Sequence, residues 1–175
     1  MSKSIPRTHD TRYGRGVAVT VFDIDGVLAD VRHRLHFLQQ RPKDWSGFFG
    51  AAVDDPVLPT GLQAAQEAAQ SSTIVYVTGR PERCRRDTAD WLSAHGLPPG
   101  PLHMRPNRDR RPAVFYKAEV VAKLSREVDI VEIIDDDERV VDRLRAMGMP
   151  VLHAQWMHGE QLDLLEQAQE SEGRT

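Results

Sequence analysis

Apolar residues in this chain come in short blocks that stop at polar ones. Residues 17–22 form a run of β-formers that ends abruptly in Asp23-Ile24-Asp25-Gly26. A brief apolar run bounded by acids and glycine predicts a strand buried in a parallel sheet, with its carboxyl end at the two acids. Residues 30–59 mix His33, Leu35, Phe37 and Leu38 with Trp45, Phe48 and Phe49, and predict one or two short helices with a loop. An alanine- and glutamine-rich stretch, 61–70, predicts a helix leading to a second strand, 74–77. That strand ends in Thr78-Gly79-Arg80-Pro81, and Pro81 suits the first turn of a helix running to residue 95. A short strand at 102–104, a helix at 117–124, a strand at 130–134, a helix at 138–147 and a last strand at 151–153 complete the pattern, followed by an acidic amphipathic segment. Strands alternating with helices predict an α/β domain whose parallel sheet is covered on both faces.

Three of these strands end in polar side chains: Asp23 and Asp25, then Thr78, then Asp135 and Asp136. In open α/β sheets ligands bind at that edge, so residues far apart in sequence can converge there. Two acids one residue apart repel and need a cation, and hard oxygen donors of this number suit Mg²⁺ with a phosphate. A polar strand end with a glycine turn is the plainer alternative. A calcium loop does not fit, because the segment lacks the third ligand before the glycine and the later bidentate glutamate. Taken singly, Thr78 reads as a helix cap, Lys117 as an exposed helix lysine, and Asp135 to Asp137 as acids favouring a helix N-terminus.

Length changes the picture little: 175 residues are one domain's worth. Residues 1–16 show no apolar period and are expected to be a loose tail, with the domain over 17–170 and a second tail at 171–175. No apolar stretch approaches a membrane span and the start lacks the centre of a signal peptide, so a cytoplasmic setting without membrane association is expected. One cysteine, Cys84, allows no internal disulfide, and it is read as a structural or incidental thiol rather than a nucleophile. Charge matters more. Residues 80–117 hold nine basic and four acidic side chains, a local +5 within a net charge of −3. The excess can be a solvated face or a track for a phosphate backbone. Arg80 stands out because a planar guanidinium suits bidentate phosphate contact. Trp45, Phe48 and Phe49 are expected to build a small lid or core, with stacking on a base as the other option.

The order Asp23-Ile-Asp25-Gly-Val, Thr78 after an apolar strand, Lys117 near a helix start and Ile-Ile-Asp135-Asp136 resembles the four motifs of the haloacid dehalogenase superfamily of phosphotransferases, over residues 17–157. Asp-Gly-Val-Leu-Ala-Asp-Val-Arg-His-Arg-Leu, Lys-Asp-Trp-Ser-Gly-Phe-Phe, Val-Thr-Gly-Arg80 and Met-Arg-Pro are further similar to the phosphatase domain of bacteriophage polynucleotide kinase 3′-phosphatases. No Gly-x-x-x-x-Gly-Lys-Ser/Thr loop occurs, so 5′-kinase activity is not expected. Val27 replaces a frequent threonine, and Asp137 adds a third acid that leaves the metal ligand open.

The resemblance implies a Rossmann-like fold and a Mg²⁺-dependent phosphatase acting on 3′-phosphorylated nucleic-acid ends. It implies Asp23 as nucleophile, Asp25 as general acid and base, and Thr78 and Lys117 as phosphoryl contacts. Gly79 and Arg80 would be substrate-binding, and Asp23, the Asp25 carbonyl, Asp135 and Asp136 would hold Mg²⁺. The 53 positions from Asp25 to Thr78 leave room only for a small helical cap at about 30–59, which favours the end of a polymer as substrate. A separate kinase or ligase is the partner expected. A phosphatase for nucleotides or other small phosphoesters is the alternative enzyme, and a non-catalytic binder of nucleic-acid ends the alternative of another class.

Overall fold

The computed structural model describes residues 16–157, so the expectations for the two tails and the acidic closing segment fall outside the described residues. Five parallel strands form one sheet in the order β3-β2-β1-β4-β5, with β1 Ala18–Phe22, β2 Thr73–Pro81, β3 Leu102–Arg105, β4 Asp129–Asp135 and β5 Val151–His153. The central place of β1 follows from its side chains: Val19, Val21 and Phe22 are fully buried, and only a strand covered on both faces can bury successive residues.

Six helices connect the strands: α1 His36–Gln39, α2 Trp45–Gly50, α3 Pro59–Ala68, α4 Arg85–Ala94, α5 Ala113–Leu124 and α6 Glu138–Ala146. One face of the sheet packs Val19, Val21, Val75, Val77 and Ile133 against Val121 and Leu124 of α5 and Val140 and Leu144 of α6. The other packs Phe22, Ile74, Tyr76 and Ile134 against Ala65 of α3 and Trp91 and Leu92 of α4. This is the expected α/β sheet with helices on both faces.

The insert between β1 and α3 forms a third apolar cluster, where Val31, Leu35, Leu38, Trp45, Phe48 and Phe49 meet Cys84, Met104 and Met157. The Trp45 ring stacks on Phe49 at 5.9 Å and Phe48 meets Phe49 edge-on at 5.3 Å. These rings therefore build the core of a small cap, with α1, α2 and two 3-10 turns, rather than a free stacking platform.

Three boundaries differ from expectation by more than two residues. β2 does not stop at residue 77. A register shift after Thr78 lets Pro81 pair with Arg105, so Thr78, Gly79 and Arg80 all lie buried in the strand. Pro81 is accordingly extended, at φ −70° and ψ 150°, because its fixed φ suits a strand as well as a helix start. A 3-10 turn, Glu82–Cys84, intervenes before α4 begins at Arg85. α5 starts at Ala113, behind Pro112, which places Lys117 more than a turn inside the helix.

Candidate active site

The carboxyl ends of β1 and β4 bring Asp23, Asp135 and Asp136 together, and Lys117 of α5 joins them. The backbone N–H of Asp23 donates to the Ile134 carbonyl at 2.9 Å, which sets Asp23 beside the end of β4. The chain then turns tightly: Gly26 N–H donates to Ala29 O at 3.0 Å, and Ala29 N–H to Ile24 O at 2.8 Å. Gly26 sits at φ +83°, and a Cβ there would collide with the Asp136 carboxylate, so only glycine fits.

Asp23, Asp135 and Asp136 each offer a carboxylate oxygen, and these lie within 4.8 Å of one another. Lys117 is buried among them, with Nζ 3.0 Å from Asp23 Oδ2 and 2.7 Å from Asp135 Oδ2. Asp135 Oδ1 also accepts from the Asp137 backbone N–H at 3.1 Å. Among the described residues no hydrogen bond reaches Asp23 Oδ1, which is buried. Burial pushes the Asp23 carboxyl up to about 7; Lys117 opposes the shift and the neighbouring carboxylates add to it. Asp136 is raised well above the carboxylate range by burial and then by Asp23 and Asp135. Burial also works against the Lys117 charge, but Asp135 and Asp23 outweigh it and keep the amine protonated. One lysine facing three acids leaves a negative excess, and an orphaned buried carboxylate oxygen at its centre fits a hard divalent cation.

Asp137, the extra acid, is not part of this cluster. Its side chain accepts from Arg139 N–H at 3.0 Å and caps α6.

Asp25 faces the other way. Its Oδ1 accepts from Arg34 Nη2 at 2.8 Å and from Arg80 Nε and Nη2 at 2.9 and 2.5 Å. Burial disfavours its charge, yet the two guanidinium groups prevail and hold the carboxyl at about 2. Both arginines also grip the buried Asp55: Arg34 Nε and Nη2 at 2.7 and 2.8 Å, Arg80 Nη2 at 2.7 Å. His33 Nε2 closes the ring at 2.8 Å from Asp55 Oδ1. The Arg34 guanidinium lies 4.1 Å above the Phe48 ring.

Arg80 thus departs from its expected role. Its bidentate contact is with Asp25 and Asp55, not with an open phosphate site, because β2 continues through it and aims its side chain inward, where it is 1% exposed. Thr78 is equally buried, and its Oγ1 accepts from the Arg80 N–H at 3.2 Å, so the hydroxyl proton stays available for another acceptor. Gly79 is buried between them in the strand. Sequence reasoning missed Arg34 and Asp55. Both lie in the cap insert, and the signal available was an arginine in the Val-Arg-His-Arg-Leu string after the acid pair and an acid before Pro56.

A family profile described as the polynucleotide kinase PNKP phosphatase domain matches residues 17–158, most of the chain. The chain belongs to this family. It is a PNKP-type phosphatase of the haloacid dehalogenase superfamily. Solved structures agree on the fold. The structure of the Pnkp1/Rnl/Hen1 RNA repair complex matches at 22% identity and TM-score 0.64, over 85% of this chain and 48% of that one. A second structure of the Pnkp1/Rnl/Hen1 complex matches at 20% identity and TM-score 0.66, over 79% and 46%. The haloacid dehalogenase-like hydrolase SP0104 from Streptococcus pneumoniae matches at 17% identity and TM-score 0.57, over 89% and 92%. This PNKP-type domain spans about half the length of the Pnkp1 chains it matches. No curated protein sequence matches it at a significant level. Among the described residues no helix is long and apolar enough to cross a membrane.

Proposed function

We propose that this domain is a Mg²⁺-dependent phosphomonoesterase that removes 3′-phosphate from nucleic-acid ends through an aspartyl-phosphate intermediate. The observation that carries the reading is the meeting of Asp23, Asp135 and Asp136 around an unpartnered Asp23 oxygen, in a chain of the PNKP phosphatase family. Asp23, the backbone carbonyl of Asp25 and Asp136 would hold the ion. Asp135 takes the lesser share, since its two oxygens already accept from Lys117 and the Asp137 N–H. Bound Mg²⁺ supplies the positive charge that lets an anionic nucleophile approach an anionic phosphate.

In the first half-reaction an Asp23 oxygen attacks phosphorus, the bond to the sugar oxygen breaks, and the leaving oxygen takes a proton. In the second, water attacks the acyl phosphate and gives up a proton as inorganic phosphate leaves. Lys117 and the Thr78 hydroxyl, with the Gly79 N–H, bind the phosphoryl oxygens. Asp25 serves both proton transfers. At rest it is a carboxylate held by Arg34 and Arg80, which suits the second transfer directly. For the first, Asp25 must carry a proton, and the approach of an anionic phosphate beside it favours the neutral carboxyl by disfavouring a second negative charge.

The relatives' presence in an RNA repair complex with Rnl and Hen1 supports a repair setting in which separate ligase or kinase proteins act on the healed end. A cytoplasmic place is part of the same reading. The test is phosphate release from a 3′-phosphorylated oligonucleotide, a 3′-mononucleotide and an aryl phosphate, with Mg²⁺ or chelator. Preference for the oligonucleotide, abolished by chelation and by Asp23→Asn, is the expected result. Equal or better turnover of the small esters points to a small-molecule phosphatase, and no turnover of any substrate to a binding module.

A further inference from the structure

A second polar concavity opens beside the site, on the side of β3. It is lined by Pro81 and Arg105, the paired ends of β2 and β3, and by Arg83, Asn107, Arg110, Trp45 and Phe49. Strands in a sheet lie about 4.8 Å apart, so β3 stands about 10 Å from β1 and its Asp23. The volume is about 170 Å³. Clefts that enclose a whole small ligand run to roughly 300–1,000 Å³, so this one suits part of a larger molecule whose remainder lies elsewhere.

The basic stretch of residues 80–117 resolves into separate populations. Arg80 and Lys117 are buried in the site. Arg85 pairs with Glu82, Arg86 with Asp90, and Arg111 with Asp109 and Glu119. Arg83 and Arg110 are exposed in the concavity, and among the described residues neither makes an ion pair with an acid. Asp109, the acid lining the same concavity, is engaged by Arg111 at 2.6 Å. The Arg83 backbone N–H donates to Asn107 Oδ1 at 2.8 Å, which ties the β2–α4 turn to the loop after β3 and leaves the Asn107 amide protons to face a ligand. The aromatic rings do not offer a stacking face: Trp45 and Phe49 stack on each other, and the Arg83 guanidinium lies 5.4 Å over Phe49.

We infer that this concavity is a phosphodiester-binding subsite, which holds the backbone of a single-stranded nucleic acid one or two links upstream of the 3′-phosphate. The inference rests on the proposed end-healing function and adds to it how the strand is gripped. Arg83, Arg110 and the Asn107 amide contact phosphate oxygens, and the bases are not read. The preference for an oligonucleotide then arises from charge, independently of base identity.

Binding can be measured without turnover, using a labelled 3′-hydroxyl oligonucleotide and the Asp23→Asn protein in fluorescence anisotropy. For single strands, log affinity falls with log salt by about 0.7 per phosphate neutralised. The variant pair R83A/R110A is expected to weaken binding about tenfold or more and to flatten that slope by about 1.4. Arg108→Ala, on the same loop outside the concavity, is expected to change neither by as much as half of that. In the active protein, the ratio of kcat/KM for the 3′-phosphorylated oligonucleotide to that for the aryl phosphate should fall with R83A/R110A by a similar factor. Homopolymers of different bases should bind within a few-fold of one another. Unchanged affinity and slope in R83A/R110A, an equal effect of Arg108→Ala, or strong discrimination among bases would each overturn the subsite. Hydrolysis of the aryl phosphate alone, with no oligonucleotide binding at all, would instead remove the nucleic-acid reading on which it depends.

Discussion

Arg34, Arg80, Asp25 and Asp55 form a buried square of two positive and two negative charges, and the balance is what makes it tolerable away from water. Asp55 touches none of the phosphate-site residues, yet without it both arginines would share the single carboxylate of Asp25. Removing one member of such a set leaves an uncompensated buried charge, typically a cost of about 3–5 kcal/mol. Asp55→Ala is therefore expected to lower the thermal midpoint by many degrees, measured by circular dichroism or calorimetry. A loss of less than about 1 kcal/mol would show that water compensates the two arginines in its place. The sequence displays the acids and arginines but not their pairing, because 55 residues separate Asp25 from Arg80 and the contact exists only once β2 lies beside β1.

Among the elements, α3 shows how the scaffold holds the chemistry in place. Gly61 lies against the loop that follows Asp25, and an added Cβ would collide with the Val27 carbonyl. That carbonyl also accepts from Trp156 Nε1 at 2.9 Å, and Leu58 N–H donates to Leu28 O at 2.8 Å, so helix, loop and the segment after β5 are locked together. Gly61→Ala gains helix propensity, but overpacking of this kind costs about 1–3 kcal/mol. The expected outcome is a lower thermal midpoint together with a fall in kcat, since the helix must back away from the loop carrying Asp25. Retained midpoint and kcat would mean that the contact relaxes freely. An alanine-rich helix was legible from composition; the reason for its one buried glycine was not, because it depends on a neighbour more than thirty positions away.

At the scale of the whole molecule, the site trades stability for charge. A metal-free Asp23 with its carboxyl at about 7, against an ordinary 3.8, binds a proton more tightly folded than unfolded. Its contribution is present below the ordinary value and is lost as pH rises through about 7. Asp25, held at about 2, works in the opposite sense and loses its contribution only as pH falls from about 4 towards 2. A divalent cation competes with the proton on Asp23, so the rise in thermal midpoint caused by Mg²⁺ should grow from pH 5 to pH 8. An increment that is flat or shrinking over that range would place the ion elsewhere. The sequence by itself determined the α/β class, the placement of Asp23, Asp25, Asp135 and Asp136 at or just past the ends of β1 and β4, and the smallness of the cap. Each of these is a local property of apolar period, β-former runs and breakers. Only the tertiary structure decided that Arg80 turns inward to Asp25, that Asp55 and Arg34 complete that cluster, that Asp137 caps a helix, and that Phe49 lies under Arg83. Those outcomes depend on register and burial, which are set by neighbouring strands and helices rather than by the residues beside them in the chain.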